Sequence, residues 1–592
     1  MDLIIPFFFI FGIFFISNYV QKKYFKENSI LISIFIFNKI IGILYFFLIY
    51  LFILNLDTKI FSFFILFICT ILGTFTFVNF IDLKKIKLFL NEQNYLFYTS
   101  ILFLFLFLIN SMLPPADLDS LRYHLEIPKK IINDQFYDYI TLDYTYLGAI
   151  EFLNLFGLNL NFENTSSLIN FIYLLFLVMS NFYIFDRYKI GSKNIGNLIV
   201  LSSPYLVSMV SAQKIYFLPC YIVIYSFTYL ILHENKIKFR IHQLISSVLI
   251  FSIAIKTIFV FYAFFIFLFQ IYILRNNYKK IFYLLLTYIF FILLFIFPIF
   301  ILKFKLFGNP FVPFLDFNGI NSLWLNDFRS FLIKYEYPLN FYNLLFFPIK
   351  IILPFSFITP TNEDFLIFNY FKFEYGNIFK LIGVGIFGIF FIKYKNHKIY
   401  IYLLLLILSF LLIGNLQNRW FFPLLLFVSI FYSPNNYFDL YFKKILLLQS
   451  IFVIILLLLV SIISIKARFF DKESVLESMA YGYKFSKKIE KKYPDSKIVT
   501  YLENYYYLKN YLPLFKHDLI IKFNQDYFIE NLNKNEMFVF IYNKNQSLAE
   551  IKEILNIEDL VILNKKTYNE SFNGRFPLNK FETKIYLYEL IF

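Results

Sequence analysis

Apolar runs of about 18 residues or more recur along this chain as far as residue 465, each long enough to cross the hydrocarbon core of a bilayer as a helix. Nothing else in the sequence limits its architecture so strongly. A soluble chain of 592 residues would divide into about three or four domains and would carry about 25% charged residues. Here 59% of residues are hydrophobic and 16% charged. The chain reads as an α-helical polytopic membrane protein.

Spans are expected at 3–19, 29–54, 60–81, 96–113, 166–185, 195–212, 215–232, 281–302, 378–394, 399–414, 420–432 and 445–465. The first run has neither a basic leader nor a small-residue cleavage site, so it is expected to be a retained span rather than a removed signal. Lys and Arg gather in short loops such as Gln21–Lys26, Asp82–Lys87, Asp186–Lys193 and Arg275–Lys280. Basic loops stay cytoplasmic, which puts the N-terminus outside and delivers 114–165 and 303–377 to the external face. Residues 243–274 lie between two basic loops and must cross an even number of times. Two short spans turning near Ala254-Ile255-Lys256-Thr257 meet that need and set Lys256 at the external face. Within 303–377, the apolar piece 342–357 is interrupted by Pro348, Lys350 and Pro354, and is expected to be a surface or re-entrant helix. The total is roughly 13–14 transmembrane helices.

The formal charge of +16 follows from these orienting loops, so no nucleic-acid partner is expected. Cys69 and Cys220 both fall in apolar runs, where they read as small buried hydrophobes with no disulfide framework. Composition shifts at Lys466-Ala467-Arg468. Beyond it, an amphipathic stretch Lys472–Lys491 precedes β-like runs at Lys497–Tyr501, Leu519–Phe523, Met537–Tyr542, Leu560–Leu563 and Lys584–Leu590, with a helical piece at Ser547–Leu555. The chain is therefore expected to divide into a transmembrane domain, 1–465, and a small extracytoplasmic α/β domain, 466–592. No internal repeat, Walker loop, GxSxG, HExxH or GxGxxG occurs. His233, His242 and His397 fall in expected cytoplasmic loops and His517 in the C-terminal domain, and none is assigned a role.

One stretch concentrates the polar chemistry. Directly after the fourth span, Pro114-Pro115-Ala116-Asp117-Leu118-Asp119-Ser120-Leu121-Arg122-Tyr123-His124-Leu125-Glu126 gathers three acids, an arginine, a tyrosine and a histidine. A carboxylate at a membrane mouth can deprotonate an acceptor hydroxyl when it lies within hydrogen-bond reach. The same residues also read as a solvated loop of helix-capping aspartates and snorkelling bases.

Asp119-Ser120-Leu121-Arg122-Tyr123-His124-Leu125 resembles the "D-x-L-x-Y-H-L" first-external-loop motif of GT-C integral-membrane glycosyltransferases, the group of protein O-mannosyltransferases and aminoarabinose transferases. Pro128-Lys129 and Gly148-Ala149-Ile150-Glu151 follow as in that loop, and Gly308-Asn309-Pro310-Phe311-Val312-Pro313-Phe314 resembles a "GNPxxPF" element. The resemblance spans roughly 96–465. It implies a GT-C-like membrane fold and transfer of a sugar from a polyprenyl-phosphate donor to a glycan, lipid or protein acceptor outside the plasma (inner) membrane. It implies Asp119 as the base. Arg122, Tyr123 and His124 would shape the site or bind the donor phosphate, with Lys214, Lys256 and Arg419 as further cations. Asp117, Glu151 and Asn309 complete the expected substrate-binding set. The resemblance leaves room for a divalent cation, since Asp117-x-Asp119 has the look of a DxD pair. No acid follows Ser203-Pro204-Tyr205, where many relatives have one. Two other classes stay open: a surface-polysaccharide polymerase or ligase, whose large loop would be rich in Arg and His, and a multi-span transporter, which would show paired halves and buried charges.

Overall fold

A computed structural model describes residues 4–25, 29–80, 94–137, 142–234, 236–312, 344, 347–349, 351–353, 355–357, 371–373, 375–393, 397–413, 418–433, 437–494, 496–500, 506–508, 511–513, 537–542, 545–555, 557–572 and 581–591. Most of 313–374, the expected strand Leu519–Phe523 and His517 lie outside the described residues.

The chain opens with α1 (Ile4–Val20), α2 (Ile30–Ile53), α3 (Thr58–Phe80) and α4 (Tyr95–Ser111), close to the four expected spans. α4 starts where the Asn94 side chain accepts the Phe97 N–H at 3.2 Å, satisfying one orphan donor of the first turn. α1 and α3 run so close together that a Cβ on Gly12 would meet the Cys69 carbonyl oxygen at 2.0 Å. Small residues permit this approach between membrane helices. Both cysteines are free and buried, as their surroundings in the sequence imply.

Two short helices, α5 (Glu126–Ile132) and α6 (Ala149–Asn159), lead into α7 (Thr165–Tyr188). The expected span 195–212 is instead two pieces, α8 (Lys193–Leu201) and α9 (Pro204–Val210). Pro204 has no N–H to give the preceding turn and starts a new helix at its first position. α10 (Phe217–His233) and α11 (Phe239–Ile255) follow, then Lys256, a 3-10 turn at Thr257–Phe259, and α12 (Val260–Leu274). Residues 243–274 are thus two helices separated at Lys256, whose backbone is extended. His242 is not in a loop: it lies in the first turns of α11, buried, with its ring beside Gln270. The expected span 281–302 is broken at Ile296 into α13 (Tyr278–Phe295) and α14 (Phe297–Phe307), ahead of Pro298.

A short antiparallel pair, β1 (Phe355–Phe357) and β2 (Phe371–Phe373), precedes the 378–394 region. That region is not an α-helical span. It forms 3-10 segments at Tyr375–Lys380 and Val384–Phe391 around Gly383, whose φ is +90°. A 3-10 segment of eight residues is about 16 Å long, well short of the ~30 Å hydrocarbon core. The bundle ends with α15 (His397–Leu412), α16 (Asn418–Phe431) and the long α17 (Tyr437–Phe469). Among the described residues, five helical segments are long and apolar enough to cross a membrane: α2, α7, α12 with its leading turn, α13 and α17. Shorter apolar helices lie between them. α13 turns Phe282, Leu285, Ile289 and Phe290 outward, the face expected of a helix that meets lipid.

After α17 come α18 (Lys472–Met479) and α19 (Tyr483–Lys492). The expected amphipathic stretch is therefore interrupted, at Gly482 with φ +78°. The remaining elements are β3 (Ile498–Thr500), β4 (Tyr511–Pro513), β5 (Phe538–Tyr542), α20 (Leu548–Leu555), β6 (Val561–Phe572) and β7 (Phe581–Ile591). They form a five-stranded mixed sheet in the order β4-β3-β5-β7-β6. Both faces of the central strand β5 are covered, following the two-residue period of a strand. Phe538 and Phe540 pack with Ile551 and Leu555 of α20, whereas Val539 and Ile541 pack with Phe485 and Ile489 of α19. The result is a helical polytopic bundle with a small α/β unit behind it.

The two parts touch at a defined place. Lys129 Nζ donates to the Tyr506 carbonyl at 2.5 Å and to the Leu508 carbonyl at 3.2 Å, and Tyr507 Oη donates to the Pro115 carbonyl at 3.0 Å. Lys472 pairs with Glu163 at 3.1 Å.

Candidate functional site

Past α4 the chain turns through Pro114 and Pro115 into a π-turn, Ser120–His124, in which the Leu125 N–H reaches back five residues to Ser120 O at 3.0 Å. Such one-turn departures from α geometry recur at functional sites. Asp117 Oδ1 accepts the Ser120 N–H at 3.0 Å and fixes the entry to the turn. The exit is fixed by Asn154 of α6, whose amide donates to the His124 carbonyl at 3.0 Å and the Gln213 carbonyl at 3.3 Å. Ser166 of α7 in turn donates to Asn154 Oδ1 at 2.6 Å. Gln213 also gives its N–H to Ser120 Oγ at 2.8 Å. Asn170 of α7 holds the next residues, donating to Lys214 O at 2.7 Å and accepting from Tyr216 N at 3.0 Å. These buried amides clamp segment 211–216 against the π-turn, so that residues far apart in sequence meet with little freedom.

Lys214 is consequently ion-paired to Asp119 Oδ2, and its ammonium is 3.7 Å from Asp117 Oδ1. The Asp119 side chain is 43% exposed, whereas that of Lys214 is 12% exposed, so the carboxylate remains reachable from outside the protein. Partial removal from water would raise the Asp119 carboxyl. The Lys214 ammonium, by charge and by hydrogen bond, outweighs this with help from Arg419 and His124 and holds it well below the usual carboxylate range. Lys256, at the end of α11, lies with its ammonium 5.0 Å from the centre of the Trp420 ring and 5.6 Å from that of Tyr216. The Arg419 guanidinium sits 4.6 Å from the same Trp420 ring. Loss of hydration, then the charges of Arg419 and Lys214, pull the Lys256 ammonium down to about 7, against an upward pull from Asp119 and Cys220. Four loop or helix-end positions thus converge at one end of the bundle, and the cations outnumber the carboxylates. Such a group attracts an anion.

On the other side of the turn, His124 Nδ1 lies 2.7 Å from Glu151 Oε1 with both side chains buried. The second Glu151 oxygen accepts the Gly148 N–H at 2.7 Å, closing the N-terminus of α6. Tyr123 packs between His124 and Tyr146, its ring centre 4.2 Å from the first and 5.0 Å from the second. Burial and then the nearby Asp119 charge keep the Tyr123 phenol protonated far above its ordinary range.

The structure therefore brings Asp117, Asp119, Lys214, Lys256 and Arg419 into one charged cluster, with Tyr123, His124 and Glu151 behind it. Arg122 is half-buried on the same π-turn. Asn309 is buried and has a local task, accepting the Phe311 N–H at 3.0 Å. The described part of its Gly-Asn-Pro element is fastened to the first loop by Lys303, which donates to Thr145 O at 2.8 Å and Val312 O at 3.1 Å. The sequence reading missed Lys303, Gln213, Asn154, Asn170 and Trp420. For Lys303, Asn154 and Asn170 the available signal was an amide or an ammonium inside a helix, where each needs a partner. Asp117 and Asp119 do not fit a metal site: an ammonium already bridges them, and no third His, Cys, Asp or Glu joins them among the described residues.

No family model matches the chain, and no curated protein matches it. Two solved structures are similar to it. The crystal structure of ArnT from Cupriavidus metallidurans bound to undecaprenyl phosphate has 10% sequence identity and a TM-score of 0.46, covering 83% of this chain and 97% of that one. The apo structure of the same protein has 9% identity and a TM-score of 0.46, covering 81% and 95%.

Proposed function

We propose that the protein is a membrane glycosyltransferase that moves a sugar from a polyprenyl-phosphate donor to an acceptor at the external face of the plasma (inner) membrane. The observation that supports this reading most is a reachable Asp119 carboxylate set among Lys214, Lys256 and Arg419. A glycosyl phosphodiester carries one negative charge, and its lipid phosphate leaves with a second. Cations already in position stabilise the transition state more than the ground state.

The acceptor oxygen attacks the anomeric carbon as the bond from that carbon to the phosphate oxygen breaks, with inversion. The bonding electrons pass to the lipid phosphate, and the acceptor proton passes to Asp119. The resting ion pair bears on this step. While Lys214 holds Asp119 as its nearer partner, the carboxylate is a poor base. A donor phosphate drawing on Lys214 weakens that hold and restores basicity when the substrate is bound. The apolar helices would take the polyprenyl tail, and the C-terminal α/β unit, joined to the loop through Lys129 and Tyr507, would border the acceptor.

The test is transfer from a radiolabelled polyprenyl-phosphate sugar in membranes by Asp119→Asn. Transfer should fall by at least ~100-fold, the usual size of a general-base contribution. Undiminished transfer would remove Asp119 from the chemistry. Orientation has its own test. A maleimide that cannot cross membranes should label Asn133→Cys, an exposed position next to the loop, in intact cells, over low background because Cys69 and Cys220 are buried. Labelling only after lysis would reverse the topology.

A further inference from the structure

α11 joins two different environments. Its C-terminal end leads into Lys256 and the Asp119 cluster, while Arg240 stands at its other end, about 24 Å away along the helix. At Arg240 a cavity of 620 Å³ opens between α2, α11 and α13, bordered by Val20 and Phe25 of the first hairpin. Lys39 and Arg240 supply its cations, and none of its lining residues is acidic. Lys39 lies well inside α2, half-buried, with its ammonium 5.4 Å from the centre of the Phe291 ring. Neither Lys39 nor Arg240 has an ion pair or hydrogen bond among the described residues.

Lys39, half-buried and without a counter-charge in an apolar wall, is costly for a membrane protein unless something anionic joins it, and Arg240, exposed at the start of α11, adds a second positive charge to the same cavity. Gln243 donates to Thr287 at 3.3 Å between them, adding polar groups to the same wall. The wall is also open on one side. Tyr283, Leu286 and Phe290 line the cavity, recur at helical spacing on α13 and are exposed on its outward face. A free phosphate would leave that strip uncovered, whereas a lipid phosphate brings its own chain to lie along it.

We propose that this cavity is a binding site for an anionic phospholipid, its phosphate between Lys39 and Arg240 and one acyl chain along Tyr283, Leu286 and Phe290. The site is separate from the Asp119 cluster by the length of α11, so its occupancy can be tested without reference to sugar transfer.

The experiment is native mass spectrometry of the purified full chain given equal amounts of phosphatidylglycerol and phosphatidylcholine. The wild type should retain phosphatidylglycerol in preference. Lys39→Met and Arg240→Ala should each reduce that preference about fivefold, the usual contribution of one basic residue to an anionic lipid. Lys39→Arg should keep it. Inorganic phosphate at millimolar concentration should not displace the lipid. Phosphatidylglycerol labelled by a benzoylphenylalanine at position 286 in place of Leu286, and protected by unlabelled phosphatidylglycerol but not phosphatidylcholine, would locate the chain even if a charge variant folds poorly. Equal retention of both lipids, an unchanged preference in the folded double variant, or displacement by phosphate alone would each overturn the proposal.

Discussion

Two side-chain pairings flank one π-turn, and their surroundings differ. Asp119 and Lys214 meet at the entrance, where the carboxylate is 43% exposed. His124 and Glu151 meet at the far end, where the carboxylate is 1% exposed and its second oxygen is already taken by the Gly148 N–H. The first carboxylate has a free approach and a partner that other anions can compete for. The second has each of its oxygens engaged by the protein. On the proposed function, access and exchangeable partners, rather than charge alone, separate a reacting Asp119 from a supporting Glu151.

The largest expected effect breaks the first pair. Asp119→Asn should lose at least ~100-fold in transfer while shifting thermal unfolding little, because a partly exposed ion pair contributes about 1 kcal/mol or less. Glu151→Gln should show the opposite pattern. It removes a buried carboxylate from His124, and should cost about 2 kcal/mol in denaturant unfolding with a smaller loss of transfer than Asp119→Asn. If the two variants have matching profiles in both assays, the distinction between the pairs is wrong.

Lys256 sharpens the comparison by pH. Its ammonium titrates near 7 in the folded protein against an ordinary value of 10.5. Between those values the unfolded chain binds more protons, so this group makes stability rise with pH across that window. A bound phosphate favours the charged form, so donor binding takes up a proton above about pH 7. Affinity for a polyprenyl phosphodiester should fall by about tenfold between pH 6.5 and 8.5. Lys256→Met should bind weakly at both and lose the slope. A flat profile in the wild type would remove Lys256 from the phosphate site.

How far the sequence foretold this follows from the range of each interaction. Hydropathy located the spans wherever the helix was continuous. It failed at Pro204, at Ile296 and around Gly383, where local backbone chemistry divides an apolar run that no hydropathy window can resolve. The motif at 119–125 and the cations at 214, 256 and 419 were legible because charges are scarce in this chain and stood at expected span ends. Their mutual arrangement was not. The Asn154–Gln213 clamp joins residues 59 apart, and His124–Glu151 joins residues 27 apart, so only the folded chain pairs them. Trp420, one of two tryptophans, had no role legible in the sequence, because its ring is shared by Lys256 and Arg419 only in the folded chain.

The smallest expected effect concerns the seam between the two parts of the molecule. Tyr507 gives its hydroxyl proton to the Pro115 carbonyl, two residues before Asp117. Tyr507→Phe keeps the ring packed and removes one hydrogen bond worth about 1 kcal/mol. If that bond steadies the approach to the π-turn, transfer should fall about two- to fivefold, with the loss in kcat and the pH slope assigned to Lys256 retained. Lys129→Met, which releases the Tyr506 and Leu508 carbonyls, should give a loss of the same kind. The combined variant should then lose less than the product of the two, because both changes free the same seam. A full product would mean that the two contacts act on the loop independently, and that the seam does not behave as a unit.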